Sequence, residues 1–438
     1  MAKIYYARVD EFWTRVDKLK FLAEKESYKN VEWQEITPDS KHNWLTEGLH
    51  DSFDNFLPMG TKAGKANKSD AEGIIFQVYS RGAETTRDAW AYHFNESKLA
   101  ENMQISIEFY NDQVLKLSRQ LKEIRIDDFA NYDDKKISWS SSLKKHLENL
   151  IFAEFNQENI RFSLYRPFSK QYLYFDKIFT HRRGQFPSIF PTPETEKENK
   201  VICCSAVGNN KPFHNLMTNV IPDLHFTGDS QCFPFYTYTE DGSHRQENIT
   251  NWALNAYQTH YKDNTISKWD IFYYIYGFLH HQGYRDKYQA NLKRELPRIP
   301  YVPDFWAISQ AGQQLAELHL NYEQQEPYEL DDEIKGKLEW RVEKMRLNKD
   351  KTALIYNDTL TLKGIPPQVF DYKLGNRSAL QWVIDQYQVK TDERSGITND
   401  PNRFDEPRYI FELIGKVITV SLKTVEIVKG INRGNFEE

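Results

Sequence analysis

Apolar positions recur along this chain with two different periods, and the places where the period changes divide it into regions. Near the start, Ile4, Tyr5, Tyr6 and Ala7 read as a short strand, and Phe12, Val16 and Leu19 share one face of a helix beginning about Asp10. The polar stretch 38–72, ending in GTKAGKANKSDAEG, reads as a loop. GIIFQVYSRG (73–82) reads as a buried strand, and 97–124 as an amphipathic helix through Leu99, Met103, Ile107, Tyr110, Val114, Leu115 and Leu121. The serine run in ISWSSSLKKHLENL (137–150) is able to cap a further helix from about Leu143. From Ile160 the text changes to strands, IRFSLYRPF, KQYLYFD and KVICCSAV, with a Pro/Thr/Glu loop at 191–199. Residues 212–250 read as irregular and aromatic.

The densest apolar pattern lies at KWDIFYYIYGFLHHQGYRDKYQANLKRELPRIPYVPDFW (268–306). Asp270 is the expected N-cap of a helix through Ile271, Tyr274, Ile275 and Phe278, with Gly283 as a left-handed stop. A second, charged helix is expected from Tyr284 to about Leu296, ended by Pro297 and Pro300. A helix so rich in Phe and Tyr must be buried. Beyond it, 311–323 reads as a short amphipathic helix and TALIYN and TLTLKGI as two strands. SALQWVIDQYQV (378–389) reads as a helix opened by the Ser378/Gln381 capping box, with Leu380, Val383, Ile384 and Tyr387 as its apolar stripe. A final apolar helix begins about Pro407. The pattern predicts an α+β chain: a mixed β region, a buried aromatic helix and a C-terminal helical subdomain.

At 438 residues the chain exceeds one ordinary core and predicts two or three domains. With 39% hydrophobic and 27% charged residues it is globular, and its 14% aromatics fit extensive packing or a stacking surface. Three cysteines, two of them adjacent (Cys203, Cys204, Cys232), predict a reducing, cytoplasmic setting rather than a disulfide framework, and they lack zinc-ligand spacing. A net charge of −6 excludes a uniformly basic surface but not a basic patch. Nine Lys/Arg against four acids fall between Arg161 and Lys211, and seven against three in 335–351, a segment that also reads as a solvated helix face.

Several chemistries are absent. Gly60, Lys62, Gly64 and Lys65 lack the spacing of a phosphate loop, and Gly364-Ile365-Pro366-Pro367-Gln368 lacks the residues that would grip a flipped adenine. Pro222-Asp223 and Pro303-Asp304 lack the acid-x-Lys strand of a nuclease site. His280-His281 reads as a helix-end pair capping carbonyls. The positive signal is different in kind. Arg166, Lys170, Arg182, Arg183 and Gln185 lie along strands and a Gly-containing turn, where Arg reads guanine, Gln and Asn read adenine, and all three hold phosphates. Asn209, Asn210, Lys211, Arg341, Lys344, Arg346, Arg377, Arg394 and Asn399 complete the DNA-binding candidates. For Arg166 the competing reading is an internal ion pair with Asp176.

Four blocks occur in order: YRPF…YLYFD (165–176), GFLHH…YRDKY…NLKRELPRIP (277–300), EKMR (343–346) and YKLGNRSALQWVIDQY…SGITNDPN (372–402). Together they resemble the C-terminal target-recognition (specificity) region of type ISP restriction-modification enzymes, the LlaGI/LlaBIII-like group, to which type IIG enzymes are related. The resemblance covers roughly 150–430. It implies a run-out of a methyltransferase-like domain over 1–50, as if the chain began mid-domain. A helical connector over 51–150, a target-recognition domain over 151–350 and its C-terminal part over 351–438 follow. It also implies sequence-specific recognition of double-stranded DNA, positioning the target for adenine-N6 methylation, with methyltransferase and helicase/nuclease domains as partners. S-adenosylmethionine, ATP and magnesium are implied for the parent enzyme, and no cofactor and no catalysis for this chain by itself. Base readers are expected in the less family-like loops 180–190, 208–215, 227–238 and 390–403. The rival reading is a protein-interaction module docking on a methyltransferase or other defence protein; a degenerate nuclease is a remote third.

Overall fold

The computed structural model describes residues 3–10, 13–39, 42–66, 71–121 and 124–433. Phe12, placed by the sequence on the first helix, lies outside them. The chain forms two compact units, 1–50 and 51–438. In the first, β1 (Ile4–Tyr6) pairs antiparallel with β2 (Gln34–Ile36), and α1 (Arg15–Lys25) starts at a Thr14/Asp17 capping box.

The stretch 38–72, read as a loop, carries a two-residue strand (Leu57–Pro58) and a short helix (Lys62–Ala66) in the second unit; β3 (Ser80–Arg81), β4 (Tyr92–His93), α2 (Glu96–Ser118) and α3 (Ser141–Glu148) follow. Of the strand expected over 73–82, only Ser80 and Arg81 join a ladder. Upstream, Ile75 and Gln77 donate their backbone N–H groups to Pro58 and Asn248, so that stretch is extended but shared among loops. Next come β5 (Ile160–Arg166), β6 (Ser169–Tyr174), β7 (Val201–Ser205), β8 (Asn215–Thr218), β9 (Ile221–Pro222) and β10 (Ser230–Pro234). They form two four-stranded sheets, ordered β9-β5-β6-β4 and β3-β10-β7-β8. Residues 212–250 are therefore not irregular throughout. Within the stretch read as a Pro/Thr/Glu loop, Pro193–Glu198 is helical, because Thr192 and Thr195 cap each other and Pro193 suits the first helical turn.

The aromatic helix α4 spans Lys268–Phe278. Its N-cap is Ser267, and Asp270 is the third helical residue: Ser267 Oγ accepts from Asp270 N (3.2 Å) and Asp270 Oδ2 accepts from Ser267 N (2.8 Å). The reciprocal box satisfies two orphan donors, which a lone Asp270 cap would not. Gly283 is no stop; it lies inside α5 (Gln282–Lys287), which His281 caps through Tyr284 N. The expected second helix is broken at Tyr288, with α6 (Gln289–Leu292) after it. Then α7 (Phe305–Leu320) crosses α4 where Gly277 faces Gly312.

A third sheet, ordered β11-β14-β13-β12, contains β11 (Asp331–Ile334), β12 (Arg346–Leu347), β13 (Ala353–Ile355) and β14 (Leu360–Lys363). The basic run 335–351 is thus not a helix face: apart from β12 it is irregular, and Val342 and Met345 pin it into the core. The tight hairpin β15 (Lys373–Leu374)–β16 (Arg377–Ser378) leads into α8 (Ala379–Gln386), opened by the Ser378/Gln381 capping box. The hairpin β17 (Lys390–Thr391)–β18 (Thr398–Asn399) and α9 (Tyr409–Ile431) end the unit. One core gathers around α4, whose Phe272, Tyr274, Ile275, Tyr276 and Phe278 are fully buried, and a second around α8, α9 and the third sheet. Smaller cores lie under α2 and between the first two sheets. Mixed sheets with separate helices make the class α+β. No helix of the described residues is long and apolar enough to cross a membrane.

Candidate nucleic-acid interface

The β5–β6 hairpin carries Arg166 at its bend. The guanidinium donates to Asp223 Oδ1 (2.8 Å) and Tyr165 O (2.6 Å) and lies over the Tyr165 ring, 3.8 Å from its centroid. Tyr92 OH donates to Asp223 Oδ2 (3.1 Å) and Tyr165 OH to Asp88 Oδ2 (3.1 Å). Burial pushes the Asp223 carboxyl up to about 6 against the pull of Arg166. Asp176 is not the partner; it turns inward to accept from Phe179 N (2.6 Å). Arg166 is ion-paired, but to a residue 57 positions away.

Around this corner the fold assembles further cations from distant parts of the chain. Lys211 Nζ lies over the Trp382 ring (5.8 Å), and Arg377 lies over the same indole (5.1 Å) while ion-pairing with Asp385. Lys390 Nζ donates to Asp385 O (2.7 Å). Burial lowers the Lys211 amine, and Arg377 and Arg166 lower it further; burial also lowers Lys390. Lys211 has no carboxylate partner among the described residues. A cation weakly neutralised by protein and repelled by its neighbours is suited to meeting an anion.

Loops extend this patch. Asn209 Oδ1 accepts from Lys211 N (3.0 Å), and its Nδ2 donates to Asp229 O (3.2 Å), while Asn210 is exposed. The Asn209 amide packs against Gly228, whose φ of +110° and lack of Cβ allow the approach. Asp229 pairs with Arg81 and with His225 Nδ1 (3.0 Å). The turn 182–185 joins the same edge: Arg182 and Glu84 exchange both backbone hydrogen bonds, and Gln185 N donates to Ser80 Oγ (2.9 Å). The Arg182 side chain is 66% exposed, Arg183 half-buried and Gln185 exposed. The structure thus brings Arg166, Arg182, Arg183, Gln185, Asn209, Asn210, Lys211 and Arg377 onto neighbouring segments. Trp382, Lys390, Arg81 and His225 were missed. Trp382 reads as one more residue of a helix stripe, Lys390 opens the 390–403 loop in which base readers are expected, and nothing local marks Arg81 and His225.

The remaining candidates lie elsewhere. Lys170 Nζ donates to Glu323 Oε2 (2.9 Å) in a half-buried pair that Tyr409 OH also joins (2.7 Å). Asn399 accepts from Phe94 N and donates to Gln171 Oε1, both at 3.0 Å, tying β18 to the first sheet. Arg341 is held between Asp400 (2.9 Å) and Glu343 (2.8 Å), and Arg394 pairs with Asp134 (2.8 Å). Lys344 and Arg346 are exposed. Among the described residues no group of three or more His, Cys, Asp or Glu is placed to hold a metal ion.

The family model of the type ISP C-terminal specificity domain matches residues 74–413. No curated protein sequence matches. A solved structure of a nuclease-deletion mutant of the type ISP restriction-modification enzyme LlaGI with a DNA substrate mimic is 34% identical, with a TM-score of 0.85 over 99% of this chain and 33% of that one. The DrdV–DNA complex is 34% identical, with a TM-score of 0.85 over 98% of this chain and 43% of that one. DNA-bound LlaBIII, an ATP-dependent type ISP restriction-modification enzyme, is 31% identical, with a TM-score of 0.86 over 99% of this chain and 28% of that one. The chain therefore spans between about a quarter and under half of the length of these enzymes, and over that span it belongs to the type ISP C-terminal specificity domain family.

Proposed function

We propose that the chain recognises a specific double-stranded DNA sequence as the specificity part of a type ISP restriction-modification enzyme. It holds the target so that a methyltransferase domain reaches an adenine, and it presents the site to motor and nuclease domains. The observation that supports this most is the agreement, over nearly the whole chain, with three enzymes solved with DNA or a DNA mimic. The basic edge formed by 182–185, 209–211 and Arg377 supplies the surface. Cations there suit phosphates, and Arg, Gln and Asn side chains suit base edges. Lys170 and Arg166 act from behind, as ion-paired supports of the hairpin, while Arg341, Lys344, Arg346, Arg394 and Asn399 flank the patch or hold its loops.

Selection from a random duplex pool should enrich one sequence, and binding should weaken steeply with salt, by about 0.9 in log–log slope for each phosphate contact. Replacing Arg182 and Arg183 together by Ala should cost on the order of 1–3 kcal/mol on the selected sequence if either reads a base. Lys211→Ala should weaken binding to all sequences alike and reduce the salt slope by about 1. No enriched sequence, together with affinity unchanged in both variants, would overturn the reading.

A further inference from the structure

The cations along the candidate DNA-facing edge differ in their protein partners. Arg183 and Lys211 make no ion pair among the described residues, whereas Arg81 is held by a carboxylate. Arg81 belongs to the edge strand β3, where the two-residue period buries Ser80 and turns Arg81 outward, its side chain 49% exposed. The turn 182–185 abuts this strand: Gln185 N donates to Ser80 Oγ (2.9 Å), and a Cβ at Gly184 would lie 3.0 Å from Arg81 O. On its other side β3 pairs with β10, with Gln231 opposite Arg81. Asp229, just before β10, accepts from Arg81 Nη2 through Oδ2, and its Oδ1 lies 3.0 Å from His225 Nδ1. His225 is fixed in turn, because its backbone N–H donates to Asp223 Oδ1 (2.9 Å), the oxygen that also accepts from Arg166. Asn209 Nδ2 donates to Asp229 O (3.2 Å), and Asn209 Oδ1 accepts from Lys211 N. Arg81 therefore stands between the turn 182–185 and the loop 209–211, on a carboxylate that is itself held from both sides.

An arginine bound to a carboxylate meets DNA differently from a free one. The pair is neutral overall, so it adds little to the counterion release that drives phosphate binding. The guanidinium carries five N–H donors in a planar fork, and whichever Nη2 hydrogen Asp229 takes, one two-donor edge of the fork stays open. Fixing the fork in one orientation removes rotamer freedom before binding, which favours a contact made of two parallel hydrogen bonds over one that needs only charge. In the major groove guanine alone presents two acceptors, O6 and N7, on one base. On the reading that this edge meets duplex DNA, we infer that Arg81 is a specificity-determining residue that reads a guanine through its major-groove edge, with Asp229 and His225 as the positioning residues that aim it. Asp229 is support rather than reader, since each of its oxygens already faces a protein nitrogen.

The test is selection from a random duplex pool with the full chain, followed by titration of single-base-pair variants of the selected duplex at several salt concentrations. The parent should prefer G·C over the other pairs at one position by about 5- to 150-fold. Arg81→Ala should make all pairs equivalent at that position, leave the preferences elsewhere and keep the salt slope. Asp229→Asn frees the positive charge but loosens its aim, so it should bind all duplexes more tightly, steepen the salt slope and shrink the G·C preference at the same position. Tighter binding with poorer discrimination is not what a disrupted loop produces, and both variants should melt with the parent because the ion pair is exposed. A selected sequence whose preferences survive Arg81→Ala at every position would overturn the inference while leaving sequence recognition standing. So would an Arg81→Ala protein that loses affinity for all duplexes alike with a salt slope smaller by about 1, the behaviour of a phosphate contact. A parent that enriches no sequence overturns the recognition reading, and this inference with it.

Discussion

The crossing of α4 and α7 makes a sharp prediction, because it is backbone against backbone. A Cβ at Gly312 would lie 1.8 Å from Tyr273 O and 2.8 Å from Gly277 N, and one at Gly277 would lie 2.5 Å from Ile308 O. No side chain can swing away to relieve these contacts. Carbon and carbonyl oxygen tolerate about 3.3 Å, so Gly312→Ala must push the helices apart by about 1.5 Å. A gap of that size forfeits much of the dispersion contact made by Ile275, Tyr276, Phe278 and Leu315, all fully buried along this seam. Overpacking of this kind costs about 3 kcal/mol, while replacing a helical glycine returns about 1 kcal/mol. The net, about 2 kcal/mol, corresponds to a fall of about 2–3 °C for a unit of this size at roughly 2.1 cal/mol/K per residue. Gly430→Ala in α9 is the control: nothing lies within 4 Å of its Cβ, so only the propensity gain of about 1 kcal/mol applies. Thermal melts of the two variants should move in opposite directions. A Gly312→Ala protein melting at or above the parent would refute the close crossing.

Two further outcomes follow from buried charge. His214 and His319 are held neutral by burial, with pKa values pushed down to about 4 and about 3, whereas in the unfolded chain they titrate near 6.5. The unfolded state therefore binds protons first, and stability present above about pH 6.5 is lost as pH falls toward 4. Each ring should account for about 2 kcal/mol between pH 6.5 and 5. Urea midpoints compared at pH 7 and pH 5 check this, and equal midpoints would refute it. Arg161, paired with Glu196 where β5 meets the 193–198 helix, is nearly fully buried with its partner. Arg161→Ala leaves that carboxylate alone in the core and should cost about 3–5 kcal/mol by denaturant unfolding, whereas Arg161→Met with Glu196→Leu should recover most of it.

What could be read from the sequence, and what could not, divides by range. The aromatic helix, the 160–174 hairpin and the Ser378/Gln381 box each declare themselves within one or two turns of chain, and each is present. Boundaries failed where two local rules competed: Ser267 and Asp270 both suit an N-cap, and only their reciprocal bonding decides which residue takes it. Gly283 failed for the opposite reason, since a glycine marks a stop only if its φ turns positive, and here it does not. The candidate interface lies at the other extreme. Whether an arginine is free to meet DNA depends on whether an acid reaches it first, and Asp223 for Arg166 and Glu323 for Lys170 come from 57 and 153 residues away. Composition counts these cations alike, as do the motif blocks that contain them. The segments that best mark the family, 165–176 and 277–300, hold the ion-paired hairpin and the buried helix, because packing constrains every position there. Arg183 and Lys211, which make no ion pair among the described residues, sit in short loops between blocks, which is where a surface can change its target without disturbing the fold beneath it.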